Sequence, residues 1–330
     1  MADIARLAGV STSTVSRALS HSPLVNQETR DRILDLARSL NYTINIGAQN
    51  LRLQQNRTVA VVIPIDQSSR QQLSDPFFLS MLGSLADALS EQGFDTLVSR
   101  VDADQVDAAA APFDGGRAIG VILIGQGRHH DQLNKMAARG VPFVVWGAQL
   151  PQQLYTTVGG DNITGGRLAT ERLLAQGRRR IAFLGHATTH YPEFFDRYRG
   201  HERALLEARV PTSSALQVDA ITTEDAGFQA LRELERRGVE FDAVVAASDL
   251  IAIGALRALQ ESGIDVPREV SVVGFDDIPA ASHTNPPLTT VVQDTRRAGD
   301  LLVETLLRQI AGDPAANSVI PTRLVVRKSG

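Results

Sequence analysis

The chain has 330 residues, of which 43% are hydrophobic and 21% are charged, and it contains no cysteine. The length suits two or three packed units, and the missing cysteines exclude disulfides, thiolate catalysis and cysteine metal sites. The net charge is −4, but residues 1–60 carry seven arginines against four acidic residues, a net charge of +3, so the remainder carries −7. A basic head on an acidic body is typical of a chain with one end that faces phosphate.

The first 40 residues predict a small helical unit. Residues 3–8 and 12–19 are two short helical segments separated by Gly9 and Val10, and a third helix is predicted from about Asn26 to Leu40. Asn26 is a suitable N-cap, and apolar residues recur at helical spacing within the third segment.

From Thr58 onward, short apolar strands alternate with amphipathic helices. The predicted strands are 59–64, 94–100, 118–125, 142–147, 180–185, 242–247, 270–275 and 322–326, and the main helices between them are 76–92, 131–139, 164–176, 194–208, 224–237, 249–262 and 296–311. Near-continuous apolar strands that alternate with helices indicate parallel sheets covered on both faces. The number of units favours two lobes, with a ligand cleft at the carboxyl ends of the strands.

The segment Ile4–Arg17 has the helix-turn-helix pattern. Gly9 is able to adopt the positive φ that the tight turn requires, and Ser11 is placed to cap the second helix. Thr12, Ser13 and Arg17 would then be exposed toward a DNA major groove. The alternative interpretation is an ordinary pair of amphipathic helices.

Ordered motifs along the chain resemble the lactose/galactose repressor (LacI/GalR) family. They are DIARLAGVSTSTVSRALS, VNQETRDRI, VVIP, DPFF, GDNITGGRLATERLLAQGRRRIAFLG, RYRG, ASDLIAIGALRAL, VSVVGFDD and PPLTTVVQD. The resemblance implies a transcriptional regulator, expected to be a repressor, that binds a pseudo-palindromic operator in double-stranded DNA as a homodimer. The sequence has no apolar run of the ~20 residues that span a bilayer and no signal-peptide pattern at its N-terminus, so we expect a cytoplasmic protein, and we expect no enzymatic activity, cofactor, metal or membrane partner.

The resemblance assigns DNA contacts to the first 53 residues. Thr12, Ser13 and Arg17 would read base edges, and an arginine fork is well suited to the O6 and N7 atoms of guanine. By match to the family, Ser11, Thr14 and Ser16 would contact phosphates. Asn45, Ala48 and Leu51 match residues of the family's hinge, which binds in the minor groove. Leu51 matches the leucine that wedges into a central base step.

The body resembles periplasmic sugar-binding proteins, which implies an α/β sensor of two doubly wound parallel-sheet lobes with three crossings between them. We place the crossings near 158–161, 286–291 and 318–321. The expected domains are a headpiece at 1–44, a hinge and linker at 45–57, a first lobe at 58–158 with 290–318, and a second lobe at 159–289 with 319–330.

Matching positions in the family imply an effector site in the cleft between the lobes. Its expected residues are Phe77, Thr164, Arg197, Ser248, Asp276 and Gln293. Adjacent sugar hydroxyls are able to donate to a carboxylate and accept from a guanidinium, so the expected effector is a mono- or disaccharide or its phosphate. A purine or other small molecule acting as corepressor is the alternative, and whether the ligand induces or corepresses is open. Asp276 has a second interpretation as a cap of its own loop.

Two other classes of protein are alternatives to a DNA-binding regulator. An enzyme is not favoured, because the sequence has no GxGxxG after the first strand, no Walker loop and no GxSxG elbow. His129 and His130 lack a third metal ligand, and His186 and His190 are interpreted as solvated or pocket-lining. A periplasmic binding protein, with no role on DNA, is not favoured because a helical head stands where a signal peptide is expected.

Overall fold

The computed structural model describes residues 2–19, 22–40, 56–66, 71–126 and 129–330. It divides the chain into a headpiece, Met1–Asn56, and a body, Arg57–Gly330. Within the described part of the headpiece lie three helices: α1 (Ala2–Ala8), α2 (Thr12–Leu19) and α3 (Gln27–Ser39).

The headpiece core is built from small and medium-sized apolar side chains. Ile4, Val15 and Ile33, one from each helix, are at most 1% exposed, and alanines fill the space between them. The predicted cap of α3 is confirmed, since the Asn26 side chain accepts a hydrogen bond from the backbone N–H of Thr29 at 2.9 Å. The fold of the headpiece therefore follows the helical periodicity of its sequence.

The body contains two lobes, each built on a sheet of six described strands. The first sheet contains β1 (Thr58–Ile65), β2 (Asp95–Asp102), β3 (Val121–Ile124), β4 (Phe143–Trp146), β5 (Thr156–Gly160) and β11 (Ser318–Ile320). The second contains β6 (Ile181–Leu184), β7 (Gln217–Val218), β8 (Ala243–Ala246), β9 (Ser271–Asp276), β10 (Thr289–Val292) and β12 (Leu324–Val325). The strand orders are β11-β5-β4-β3-β1-β2 and β12-β10-β9-β8-β6-β7, and every pairing is parallel except that of β12 with β10.

Helices cover both faces of the sheets. The α-helices of the body are α4 (Pro76–Glu91), α5 (Ala111–Asp114), α6 (His130–Ala138), α7 (Asn162–Ala175), α8 (Pro192–Glu207), α9 (Glu224–Arg236), α10 (Asp249–Glu261) and α11 (Thr295–Ala311), and short 3-10 turns lie at Val106–Ala110, Ser214–Leu216 and Pro279–Ser282. The central strands β3, β4, β6 and β8 are buried along their whole length. The expected two-lobed, doubly wound fold is confirmed.

The chain crosses between the lobes after Gly160, after Val292 and after Ile320. The second crossing corrects the expected one at 286–291, because Thr289–Val292 forms β10 and pairs with β9 in the second sheet. Residues 290–292 therefore lie in the second lobe, whereas residues 159–160, in β5, and residues 319–320, in β11, lie in the first. Each crossing begins at the end of a short strand, β5, β10 or β11. The sequence pattern did not predict these three strands.

Candidate DNA-binding surface and interlobe cavity

One face of α2 is exposed and carries short hydroxyl side chains and a guanidinium. Gly9 adopts φ +65° in the turn before the helix, and the Oγ of Ser11 accepts a hydrogen bond from the backbone N–H of Thr14 at 3.1 Å, as its predicted role as a cap requires. Val15 and Ala18 are fully buried, so the side chains on the opposite face point outward. The exposed residues include Ser11, Thr12, Ser13 and Arg17.

The hydroxyl groups at the start of α2 form one cluster. The Oγ of Ser11 lies 2.7 Å from the Oγ of Ser13 and 2.8 Å from the Oγ1 of Thr14. Thr14 and Ser16 are half-buried. A capped helix N-terminus with several hydroxyls has the geometry that binds a phosphate oxygen. The other expected DNA contacts, Asn45, Ala48 and Leu51, lie outside the described residues.

A cavity of about 190 Å³ lies between the two lobes. Its lining includes Trp146 at the end of β4, His186 after β6 and Ser248 after β8. The carboxyl ends of parallel strands from both sheets therefore meet at the cavity, as the sequence predicts. Of the expected effector residues, the structure brings together Phe77, Arg197, Ser248, Asp276 and Gln293.

Thr164 is not among the residues that line the cavity. It lies in the first turn of α7, where its backbone N–H donates to the Oδ1 of Asp161 at 3.0 Å. Its position is set by the cap of that helix.

Arg197 lies in α8 with only 4% of its surface exposed. Its Nε donates to the Oδ1 of Asn162 at 2.8 Å, and its Nη1 donates to the backbone carbonyl of Ala247. The guanidinium carbon lies 3.8 Å from the centroid of the Phe275 ring, a cation–π contact. Burial lowers the pKa of Arg197, and the negative charge of Asp276 opposes this shift. These contacts fix the direction of the guanidinium before any ligand binds.

Asp276 ends β9, and its Oδ1 lies 3.7 Å from the Nη1 of Arg197. Its backbone has φ +117°, a strained conformation for a residue other than glycine. Burial raises the pKa of Asp276 to about 7, although Arg197 and a hydrogen bond from Gln293 both favour the carboxylate. A buried carboxyl group beside a fixed guanidinium is a suitable partner for adjacent hydroxyl groups.

A second buried carboxyl group lies behind Asp276. The side chain of Asp249 accepts hydrogen bonds from the hydroxyl of Thr290 at 2.5 Å and from the backbone N–H of Ile278 at 2.9 Å. Burial, followed by the charge of Asp276, raises the pKa of Asp249. Ser248 caps α10, since its Oγ accepts from the N–H of Ile251 at 3.3 Å. Asp249 therefore holds the backbone at Ile278, two residues after Asp276.

The first lobe contributes an aromatic and acidic wall. The Phe77 and Trp146 rings lie 6.4 Å apart between centroids, and both line the cavity. Asp75 caps α4, since its Oδ1 accepts a hydrogen bond from the backbone N–H of Phe77 at 2.9 Å, and it also lines the cavity. Burial raises the pKa of Asp75. The cavity thus combines apolar ring faces with a few polar groups, as small-molecule sites commonly do.

Sequence reasoning missed several lining residues, among them Gln126 and Glu193. The side-chain amide of Gln126 donates to the carbonyl of Ala148 at 2.8 Å and accepts from its N–H at 3.0 Å. Burial raises the pKa of Glu193, which lies in the first turn of α8. Gln126 lies two residues after the end of β3, so the rule that ligands bind at the carboxyl ends of parallel strands was the signal that would have found it.

Two other kinds of feature are absent from the residues that the structure describes. Within those ranges, no helix is both long and apolar enough to cross a membrane, and no three histidine or acidic side chains are grouped as metal ligands would be.

Comparisons with known proteins cover both the headpiece and the body. The profile of bacterial regulatory proteins of the lacI family matches residues 1–45, and that of a periplasmic binding protein-like domain matches residues 170–330. The HTH-type transcriptional regulator CelR of Thermobifida fusca is 35% identical over 335 residues, which cover 99% of this chain and 97% of CelR.

Two solved structures are similar over the same length. The chain in a CelR–cellobiose complex is 33% identical to this one, and the match covers 99% of this chain and 98% of the CelR chain, with a TM-score of 0.73. The lac repressor dimer bound to operator and the anti-inducer ONPF is 28% identical, covers 99% and 97% of the two chains, and gives a TM-score of 0.87.

Proposed function

Because the chain belongs to the LacI family of bacterial transcriptional regulators, we propose that it represses genes of carbohydrate uptake or catabolism and that a sugar bound between its lobes changes its affinity for operator DNA. The observation that carries this proposal is the pair of Arg197 and Asp276, buried side by side in a cavity that both lobes line. The proposed effector is a mono- or disaccharide or its phosphate. The related CelR has been solved with cellobiose.

The chemistry of the cavity supports a polyhydroxylated ligand. The carboxyl group of Asp276 accepts hydrogen bonds from sugar hydroxyls, and the guanidinium of Arg197 donates to their oxygens. The rings of Phe77 and Trp146 give an apolar surface for the C–H faces of a sugar ring. Ser248 and Gln293 supply further polar atoms at the same cavity.

On the DNA side, we propose that a homodimer binds a pseudo-palindromic operator in the cytoplasm, where the chromosome lies. Arg17 is the candidate for a bidentate contact to guanine, with Thr12 and Ser13 beside it at the base edges. Ser11, Thr14 and Ser16 would contact phosphates, which fix register without reading sequence. The hinge contacts proposed from the sequence are those of Asn45, Ala48 and Leu51.

The effector acts by favouring one orientation of the two lobes over another. The three crossings are the segments about which the lobes rotate, because they are the covalent connections between the two sheets. A ligand that touches both lobes binds the two orientations with different affinity and so shifts their populations.

The test begins with an operator selected from random double-stranded DNA with the purified full-length protein. Fluorescence anisotropy then measures operator affinity alone and with each of a panel of mono- and disaccharides. The proposal predicts that at least one sugar changes operator affinity by roughly 5- to 150-fold, the usual range of allosteric coupling. Selection of no preferred sequence, or an operator affinity that no sugar changes, would contradict it.

A further inference from the structure

A stacked pair of rings, His186 and Tyr191, lines the interlobe cavity. The two rings are 5° from parallel, with centroids 3.9 Å apart. Both residues are half-buried, whereas Arg197 and Asp276 are only 4% and 8% exposed. The cavity therefore has a deeply buried polar end and a less buried aromatic end.

The backbone before His186 explains why the loop leaves the sheet at this point. Gly185 follows β6 with φ +150°, and a Cβ atom there would lie 2.3 Å from the Cβ of Ala247. A residue with a side chain would clash at this position. The glycine therefore lets the chain turn directly from the strand into the segment that carries both rings.

Both rings are held by neighbouring elements. The Nδ1 of His186 lies 3.5 Å from the Oδ2 of Asp219, which directly follows β7. Tyr191 is the N-cap residue of α8, the helix that also carries Arg197. Because the sheet holds one ring and the helix the other, the pair forms a fixed surface at the cavity.

The spacing along α8 separates this surface from the polar end. Tyr191 and Arg197 are six residues apart, and a helix rises 1.5 Å per residue, so about 9 Å along the helix axis lies between them. A single pyranose ring is shorter than this separation, whereas two linked rings span it.

From this arrangement we infer that the cavity binds a disaccharide, with one sugar ring held by Arg197 and Asp276 and the second packed on the His186–Tyr191 pair. This inference rests on the proposed function, because it takes the ligand to be a sugar. Aromatic faces are electron-rich and attract the C–H bonds of a sugar ring. The pair is less buried than Arg197 and Asp276, which suits the outer ring of a ligand that enters from solvent.

The experiment is calorimetric titration of the full-length protein with cellobiose, maltose and lactose, and with glucose and galactose as their constituent monosaccharides. We expect one disaccharide to bind at least about tenfold more tightly than its monosaccharides. Tyr191→Ala should weaken binding of that disaccharide by about tenfold and change monosaccharide binding by less than about twofold. Tyr191→Phe keeps the ring and should retain the disaccharide affinity.

Two further variants complete the design. Thr189→Ala alters an exposed residue of the same loop that does not line the cavity, and it should bind like the wild type. His186→Ala removes the other ring of the pair and should also weaken disaccharide binding, which keeps the test decisive if Tyr191→Ala does not fold. Thermal unfolding without sugar verifies that each variant is folded.

The outcomes separate this inference from the proposed function. Equal affinity for a disaccharide and its monosaccharides, or an equal loss for both in Tyr191→Ala, overturns the two-ring site while the sugar-responsive regulator stands. If none of the five sugars binds, the two-ring site is also wrong, and the operator measurement with the wider sugar panel then decides the proposed function separately.

Discussion

The Nε2 of Gln293 donates a hydrogen bond of 2.6 Å to the Oδ1 of Asp276, and this contact links the cavity to the segments that connect the lobes. Gln293 directly follows β10 and so lies in the second crossing. Its Oε1 would lie 3.2 Å from a Cβ on Gly160, at the first crossing. We expect a ligand that takes a hydrogen-bonding position on Asp276 to compete with Gln293, which lies in the second crossing and close to the first.

The first prediction concerns this contact. Gln293→Ala should bind sugar more weakly, because one polar group of the cavity is lost, and even at saturating sugar its operator affinity should change less than that of the wild type. Operator affinity measured with and without saturating sugar gives the coupling, expected to fall by about 1 kcal/mol or more. Gln260→Ala, an exposed glutamine of α10, is the matched control. Unchanged coupling in Gln293→Ala would rule out this route between cavity and crossings.

The second prediction concerns base recognition. Arg17→Ala should cost about 1–3 kcal/mol at the selected operator and relax the choice at one base pair, because a bidentate contact to guanine is lost. Binding to operators with every single-base change measures this. Arg38→Ala is the control, since Arg38 is exposed on α3 and pairs with Asp35 at 3.3 Å. An even loss of affinity across all base variants would make Arg17 a phosphate contact.

The third prediction concerns pH. Burial raises the pKa of Asp276 from 3.8 to about 7, so between these values the folded chain binds a proton that the unfolded chain has released. This contribution to stability is present below about pH 4 and is lost as pH rises through about 7. Asp276→Asn does not titrate at this position.

The measurement is urea unfolding of the wild type and Asp276→Asn at pH 5 and pH 8. When the pH is raised from 5 to 8, the free energy of unfolding of the wild type should fall, relative to that of the variant, by about 1–4 kcal/mol. A relative rise would mean that Arg197 stabilises the carboxylate by more than burial destabilises it.

The sequence predicted the parts of the cavity that depend on the carboxyl ends of strands. Arg197 and Asp276 follow from matched motifs, and parallel strands bring such positions together. The crossing at β10 was placed too early, because Thr289 and Thr290 are polar residues that are fully buried in this strand. Their hydroxyls donate to the carbonyl of Gly330 and the carboxyl group of Asp249. Such partners, about 40 residues distant in the chain, are not visible in local periodicity.

The other differences have similar causes. The stacking of His186 on Tyr191 depends on the shape of a loop, which residue spacing alone does not define. Thr164 was expected at the cavity, but the cap formed by Asp161 sets its position. Whether a residue in the first turn of a helix lines a cavity depends on how that helix packs, and this is a tertiary property.

The central claim is that Arg197 and Asp276 bind one effector and that this binding controls the operator. Calorimetric titration of the wild type, Arg197→Lys and Asp276→Asn with the sugar that changes wild-type operator affinity tests it most directly. Lysine keeps the charge of Arg197 but lacks its planar fork. Asparagine resembles the neutral, protonated form of the Asp276 carboxyl group, which is populated near neutral pH because the pKa of Asp276 is about 7. We predict roughly ten- to a hundredfold weaker sugar binding in both variants, with operator affinity in the absence of sugar within about twofold of the wild type. Wild-type sugar affinity in both variants, or a loss of stability and operator binding that accompanies the loss of sugar binding, would contradict the account.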